Sequence, residues 1–188
     1  MKIPFAAMAA LACLACAPAH ALSSRGMAED CFRAAQAISS GHAAPDGVAA
    51  CDAALTGEMP QTLRAGTLVN RGILDAAAGR DDKAIADFTG ALALQPDLAA
   101  AYMNRGSALL RLQRYDDART DFTRAIDLGT PNLHVAYFNR GEAEEAAGSA
   151  TAAYHDYRKA QELAPDFQPA AQELARFTVT RHHVAAIL

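Results

Sequence analysis

Asn70-Arg71-Gly72, Asn104-Arg105-Gly106 and Asn139-Arg140-Gly141 are three copies of one tripeptide, set 34 and then 35 residues apart. The residues after each copy recur as well. Twelve residues after the glycine stand Ala84, Ala118 and Ala153, and four further on an aromatic, Phe88, Phe122 or Tyr157. Then come Ala91, Ala125 and Ala160, a leucine at Leu94, Leu128 and Leu163, and a closing proline at Pro96, Pro131 and Pro165. A period of this length marks a stack of small supersecondary units, each too small to bury its own apolar face alone. Stacks of this kind usually offer a surface to a partner and carry no reaction.

These residues resemble the tetratricopeptide repeat, a 34-residue helix-turn-helix unit. The family has small residues at repeat positions 8, 20 and 27, an aromatic at 24 and a proline at 32. Counting from Ala65, those are Gly72, Ala84, Ala91, Phe88 and Pro96 in a repeat over 65–98. In 99–132 they are Gly106, Ala118, Ala125 and Phe122, with Pro131 one place late. In 134–167 they are Gly141, Ala153, Ala160, Tyr157 and Pro165. Position 7 departs from the usual leucine and is arginine in all three. The resemblance implies an all-α, right-handed solenoid: three clear repeats, a degenerate one over about 27–60, and a capping helix over 168–183.

Physical chemistry agrees. Small residues at positions 8 and 20 let two antiparallel helices approach, so Gly72, Gly106 and Gly141 should face Ala84, Ala118 and Ala153. The aromatic at 24 should fill the gap between neighbouring repeats. Asp81-Asp82 and Asp116-Asp117 suit the positive start of a second helix, and the prolines stop it. No stretch alternates with period two, so no sheet is expected.

Residues 1–21 read as a signal peptide. Lys2 gives the positive start, Ile3 to Ala17 is apolar, and Ala19-His20-Ala21 is a small-x-small cleavage site. The rival is a lipoprotein signal using Cys13 or Cys16, which would anchor the chain by lipid in the cell envelope. Either way the chain is expected outside the cytoplasm, periplasmic or secreted, as one domain over 22–188. No later run is long enough to span a membrane.

Removal of the leader leaves Cys31 and Cys51. With Ala54-Leu55 aligned to Ala91-Leu92, Cys31 takes position 4, Ala35 position 8, Gly47 position 20 and Cys51 position 24. In an antiparallel hairpin facing positions have a constant sum, and both pairs give 28. The two cysteines should therefore meet, and an oxidising compartment favours a disulfide over two inert thiols. Nothing resembles Cys-x-x-Cys.

The formal net charge is -4, with no basic tract, which argues against nucleic acid and anionic membrane surface as partners. Glycine-rich phosphate loops, Gly-x-Ser-x-Gly and His-Glu-x-x-His are all missing, so no catalytic residues and no cofactor are assigned. His182-His183 invites a metal reading, but adjacent helical residues point about 100° apart, and no partner stands at ligand spacing.

In peptide-binding members of the family, the first helix of each repeat lines a concave groove. Position 6 is Asn70, Asn104 and Asn139, amides that can pair with an extended peptide backbone whatever its sequence. Position 5 is Val69, Met103 and Phe138, apolar in each repeat and fit for alternate side chains. Ser107, Leu110, Arg111, Glu142 and Glu145 vary the lining. Arg71, Arg105 and Arg140 are each followed 16 residues on by Asp87, Asp121 and Asp156. These pairs read as structural ion pairs that fix registry, reaching within a repeat or into the preceding one. The functional expectation is a protein- or peptide-binding adaptor in the bacterial envelope. Its rivals are a lipid-anchored assembly component acting through lateral contacts and, further off, an unrecognised hydrolase. Oligomeric state is not legible.

Overall fold

The computed structural model describes the backbone of residues 19–185 and the side chains of 24–177. Nine helices and no strand occur among the described residues: α1 (Ala19–Ser39), α2 (Gly47–Thr56), α3 (Gln61–Ala77), α4 (Asp81–Leu94), α5 (Ala99–Arg111), α6 (Tyr115–Asp127), α7 (Leu133–Ala146), α8 (Ala150–Leu163) and α9 (Gln168–Ala185). Most of the segment read as a leader lies outside the described residues, and α1 begins at Ala19, within that segment's last residues and ahead of residue 27.

The repeat turns explain where first helices end. Gly79, Gln113 and Gly148, each at position 15, take positive φ of 72°, 60° and 87°. The next amide then bonds back to the carbonyl five residues earlier: Arg80 to Asp75, Arg114 to Leu109, Ser149 to Glu144. This is the left-handed helix stop that glycine adopts without strain. Asp81-Asp82 and Asp116-Asp117 occupy the first turns of α4 and α6, where the helix dipole favours them. The 35-residue spacing has a local cause too. α4 and α8 run straight into extended Gln95 and Ala164, whereas α6 ends through Gly129 at φ 71°, and buried Thr130 bonds back to Ala125. That extra turn absorbs the added residue before Pro131.

The helices pair as hairpins α1/α2, α3/α4, α5/α6 and α7/α8, and each second helix packs on the next first helix. First helices also touch along the row, α1 with α3, α3 with α5 and α5 with α7. They form the inner wall of the stack, and the second helices form the outer one.

The glycine at position 8 also makes room for a ring. A methyl on Gly72 would lie 2.6 Å from Phe88 Cε1, on Gly106 2.8 Å from Phe122 Cε1, and on Gly141 2.7 Å from Tyr157 Cε1. The glycine therefore faces the aromatic of its own repeat, whose ring carbons are the nearest atoms to the missing methyl. A ring reaches further than a methyl, so it claims the space the missing Cβ leaves. The same ring also joins the next repeat: Phe122 clusters with Leu109, Ala118 and Ala143. Phe88, Phe122 and Tyr157 are 0–1% exposed, and burying each such ring removes apolar surface worth about 1.5–3 kcal/mol.

The two ends are closed differently. Cys31 and Cys51, both fully buried, are joined by a disulfide between α1 and α2, with 4.8 Å between their Cα atoms. Cys51 stands at position 24, where the other repeats have an aromatic, and Ala35 stands at position 8, where they have a glycine. At the other end α9 packs on α8, and Phe177 meets Tyr154 at 5.8 Å and Tyr157 at 6.1 Å.

Candidate functional site

The position-7 arginines sit between helices and between repeats. Arg105 grips Asp121 with two parallel bonds, Nε to Oδ2 at 2.7 Å and Nη2 to Oδ1 at 2.8 Å. Arg71 holds Asp87 at 2.8 and 2.6 Å, and Arg140 holds Asp156 at 2.7 and 2.8 Å, in the same fork. The remaining Nη1 of each crosses to position 25 of the preceding repeat: Asp52 at 2.6 Å, Thr89 at 3.0 Å and Thr123 at 3.2 Å. Arg105 and Arg140 lie over Tyr102 and Tyr137, 5.6 and 5.2 Å from the ring centroids. The hydrogen bonds to their own aspartates push all three guanidinium pKa values up, against an opposing effect of burial. All three are thus fully committed, and they cannot clamp a phosphate or carboxylate from outside.

Clefts recur at these junctions. The one between α2, α3 and α4, about 490 Å³, is lined by Asp52, Arg71, Asp75, Arg80, Lys83 and Asp87 among others. Most of its charge is internally paired, since Arg80 Nε also bonds Asp75 Oδ1 at 2.6 Å.

The inner wall offers different chemistry. Asn70, Asn104 and Asn139 are all half-buried on α3, α5 and α7. Asn104 Nδ2 donates to Ala100 O of its own helix at 2.9 Å. Asn70 and Asn139 make no side-chain hydrogen bond among the described residues, so two amides of the three present both donor and acceptor outward. Val69 and Met103 are half-buried beside them, and Met103 packs in part on the Leu109–Phe122 cluster.

Several lining residues serve the fold instead. Phe138 packs 5.5 Å from Tyr157 and 5.4 Å from Phe167, which in turn stacks edge-on against His134 at 5.1 Å. It is a wall residue braced from behind, not an open pocket. Arg111, read as lining, reaches across to Asp81 of the preceding repeat, with Nε 3.0 Å from Oδ1. The reason is helix geometry: position 13 lies at the end of the first helix, beside the start of the second helix of the repeat before. Ser107 Oγ bonds Met103 O at 3.0 Å, and Leu110 packs on the Leu109–Phe122 cluster. Glu145 accepts from the Tyr157 hydroxyl at 3.0 Å and pairs with Arg176 of α9. Burial, then that bond, pushes the Tyr157 pKa well up.

Glu142 stands one turn beyond Phe138 on the same face of α7, open to solvent, with no ion pair among the described residues. The covered part of the side chain loses solvation, and this loss first, then the charges of Glu173 and Glu145, raise its pKa above the ordinary carboxylate value.

Phe32 on α1 takes the register that lines the inner wall in the later repeats, a position not expected of it. At 51% exposed, it is the most exposed large apolar side chain described. The alignment that puts Cys31 at position 4 puts Phe32 at position 5, in line with Val69 and Met103. That register is the signal in the sequence that could have found it.

Two family models, both for the tetratricopeptide repeat, match residues 69–132 and 134–167. The chain belongs to the tetratricopeptide repeat family. Among curated proteins it is similar to the Hsp70-Hsp90 organizing protein of Triticum aestivum, 35% identical over 89 residues. That match takes in 47% of this chain but 15% of the relative. Among solved structures it is similar to the first TPR of Spaghetti (RPAP3) bound to the HSP90 peptide SRMEEVD. There the TM-score is 0.61 at 28% identity, covering 64% of this chain and 95% of that one. A longer overlap, 87% of this chain and 86% of the other at TM-score 0.72, is with a MamA RS-1 ArsTM double mutant; at 20% identity it speaks for the fold alone.

Proposed function

We propose that this protein is a peptide- or protein-binding adaptor that takes an extended segment along its inner wall, and that it works outside the cytoplasm, in the bacterial envelope. The observation that carries the binding reading is the column of half-buried asparagines beside Phe32, Val69 and Met103, with the Asn70 and Asn139 amides unused by the fold among the described residues. A buried amide without a partner costs folding energy. Amides held in a wet groove keep their hydrogen bonds with water and can exchange them for a peptide backbone. The similar RPAP3 domain is solved with an HSP90 peptide, which supports the same use of the fold here. Export is supported by the leader-like start and by the Cys31–Cys51 bridge, which suits an oxidising compartment.

The test is positional. A photo-crosslinking residue at Asn104 should give adducts in the native envelope, whereas the same residue at His155, exposed on the outer helix α8, should give none. Equal labelling from both faces would defeat the groove reading. For export, the mass of the mature chain should correspond to a start at Leu22; an intact Met1 would defeat it.

A further inference from the structure

If the inner wall holds an extended segment, as proposed above, its side chains also assign the chemistry of that occupant. Position 5 is apolar on three successive first helices: Phe32 on α1, Val69 on α3 and Met103 on α5, the last also packing on the Leu109–Phe122 cluster. Charge along the same wall is uneven. At the α1 end Arg33 is matched by Asp30, Nη2 to Oδ1 at 2.8 Å. The middle, on α3 and α5, shows only Asn70, Ile73, Asn104 and Ser107, since Arg111 is turned to Asp81. At the α7 end, among the described residues, stand Glu142, Glu145 and Glu173 with Arg176. Arg176 pairs with Glu145 and lies 3.0 Å from Glu173 Oε2. That leaves Glu142 as the carboxylate there that no described residue neutralises, one helical turn from the braced Phe138. Desolvation raises its pKa first, and the like charges of Glu173 and Glu145 add to that rise.

An extended chain laid over this wall alternates its side chains. We propose that the groove takes an extended apolar segment carrying a lysine or arginine, whose apolar residues rest on Phe32, Val69 and Met103 and whose cation pairs with Glu142. A cation there would satisfy the carboxylate and offset its repulsion from Glu145 and Glu173. An acidic segment would add a fourth negative charge beside Glu142, Glu145 and Glu173, so the same geometry disfavours it.

The experiment is selection of random dodecapeptides displayed on phage against the folded protein, Glu142→Gln and Glu142→Lys. Glu142 is exposed and has no ion pair among the described residues, so both variants should melt no lower than the parent. The parent should enrich peptides that combine apolar residues with lysine or arginine, and Glu142→Lys should reverse the preference toward aspartate and glutamate. A selected basic peptide should bind Glu142→Gln about tenfold more weakly, the scale of one charge-assisted hydrogen bond, and should weaken with added salt. Enrichment of neutral or acidic peptides that still lose affinity in Asn70→Ala or Asn139→Ala overturns the charge assignment and leaves the groove standing. Selected peptides indifferent to Asn70→Ala, Asn139→Ala and Phe32→Ala overturn the groove and the inference together, as does the absence of any enriched peptide.

Discussion

The space beside Gly106 is taken by the edge of Phe122, and a methyl there would sit 2.8 Å from ring carbon Cε1. Gly106→Ala should therefore cost about 1–3 kcal/mol, the usual range for overpacking a closed core. Adding Phe122→Leu should recover part of that loss, because the shorter side chain vacates the space. Denaturant melts of the single and double variants check both. If Gly106→Ala is neutral, the contact is not tight. Gln113 is the opposite case. It holds φ 60° where the other two repeats have Gly79 and Gly148. A left-handed residue with a Cβ is strained by about 1–2 kcal/mol, part of which glycine returns through its larger unfolded-state entropy. Gln113→Gly should raise stability by up to about 1 kcal/mol, read as a higher melting temperature. Arg105→Met leaves Asp121, 4% exposed, without its two charged donors. Stranding a buried acceptor costs about 1–3 kcal/mol, so this variant should melt well below the parent. Arg105→Met with Asp121→Leu should recover much of the difference.

At the scale of an element, the first hairpin depends on a bond that the others lack. Where the others have an aromatic at position 24 it has Cys51, bonded to Cys31 at position 4, 20 residues apart and both fully buried. Closing a loop of that length restricts the unfolded chain by roughly 3 kcal/mol in the chain-entropy model. Reducing the bridge, or making Cys31→Ser, should loosen α1 and α2 while α5 to α8 stay protected. Hydrogen exchange reads this directly. Uniform loss of protection along the whole stack would show that the ends are not separable. The last hairpin is held by rings. Phe167 touches both His134 and Phe138, and Phe167→Ala should cost about 1–3 kcal/mol, below the 3–5 of a fully buried phenylalanine. It should also free Phe138 to move into the groove.

Across the whole molecule, the acidic α7 end sets a pH dependence. Glu142 has its folded pKa raised, so the native state holds its proton at pH values where the unfolded chain has lost it. Stability then falls as pH rises through that interval, and the penalty persists at neutral pH. Glu142→Gln should melt slightly above the parent at pH 7, and the two should converge below about pH 4, where the unfolded carboxyl is itself protonated. A gap that persists in acid would assign the effect to packing instead of charge. A basic peptide in the groove should shrink the gap at pH 7.

The fold was readable from the sequence because each repeat is a local object: the turn, the helix lengths and the small-residue contacts lie within 34 residues, and three copies report the same answer. The Arg–Asp pairing was readable for the same reason, as a constant separation of 16. Only the tertiary structure decided which partner each side chain takes. It put the ring of Phe122 against Gly106, turned Arg111 to Asp81, braced Phe138 with Phe167, and left Glu142 without a cation among the described residues. Those choices depend on neighbouring repeats and on the closing helix α9, whose positions follow from the stacking of whole helices and from no single repeat's pattern.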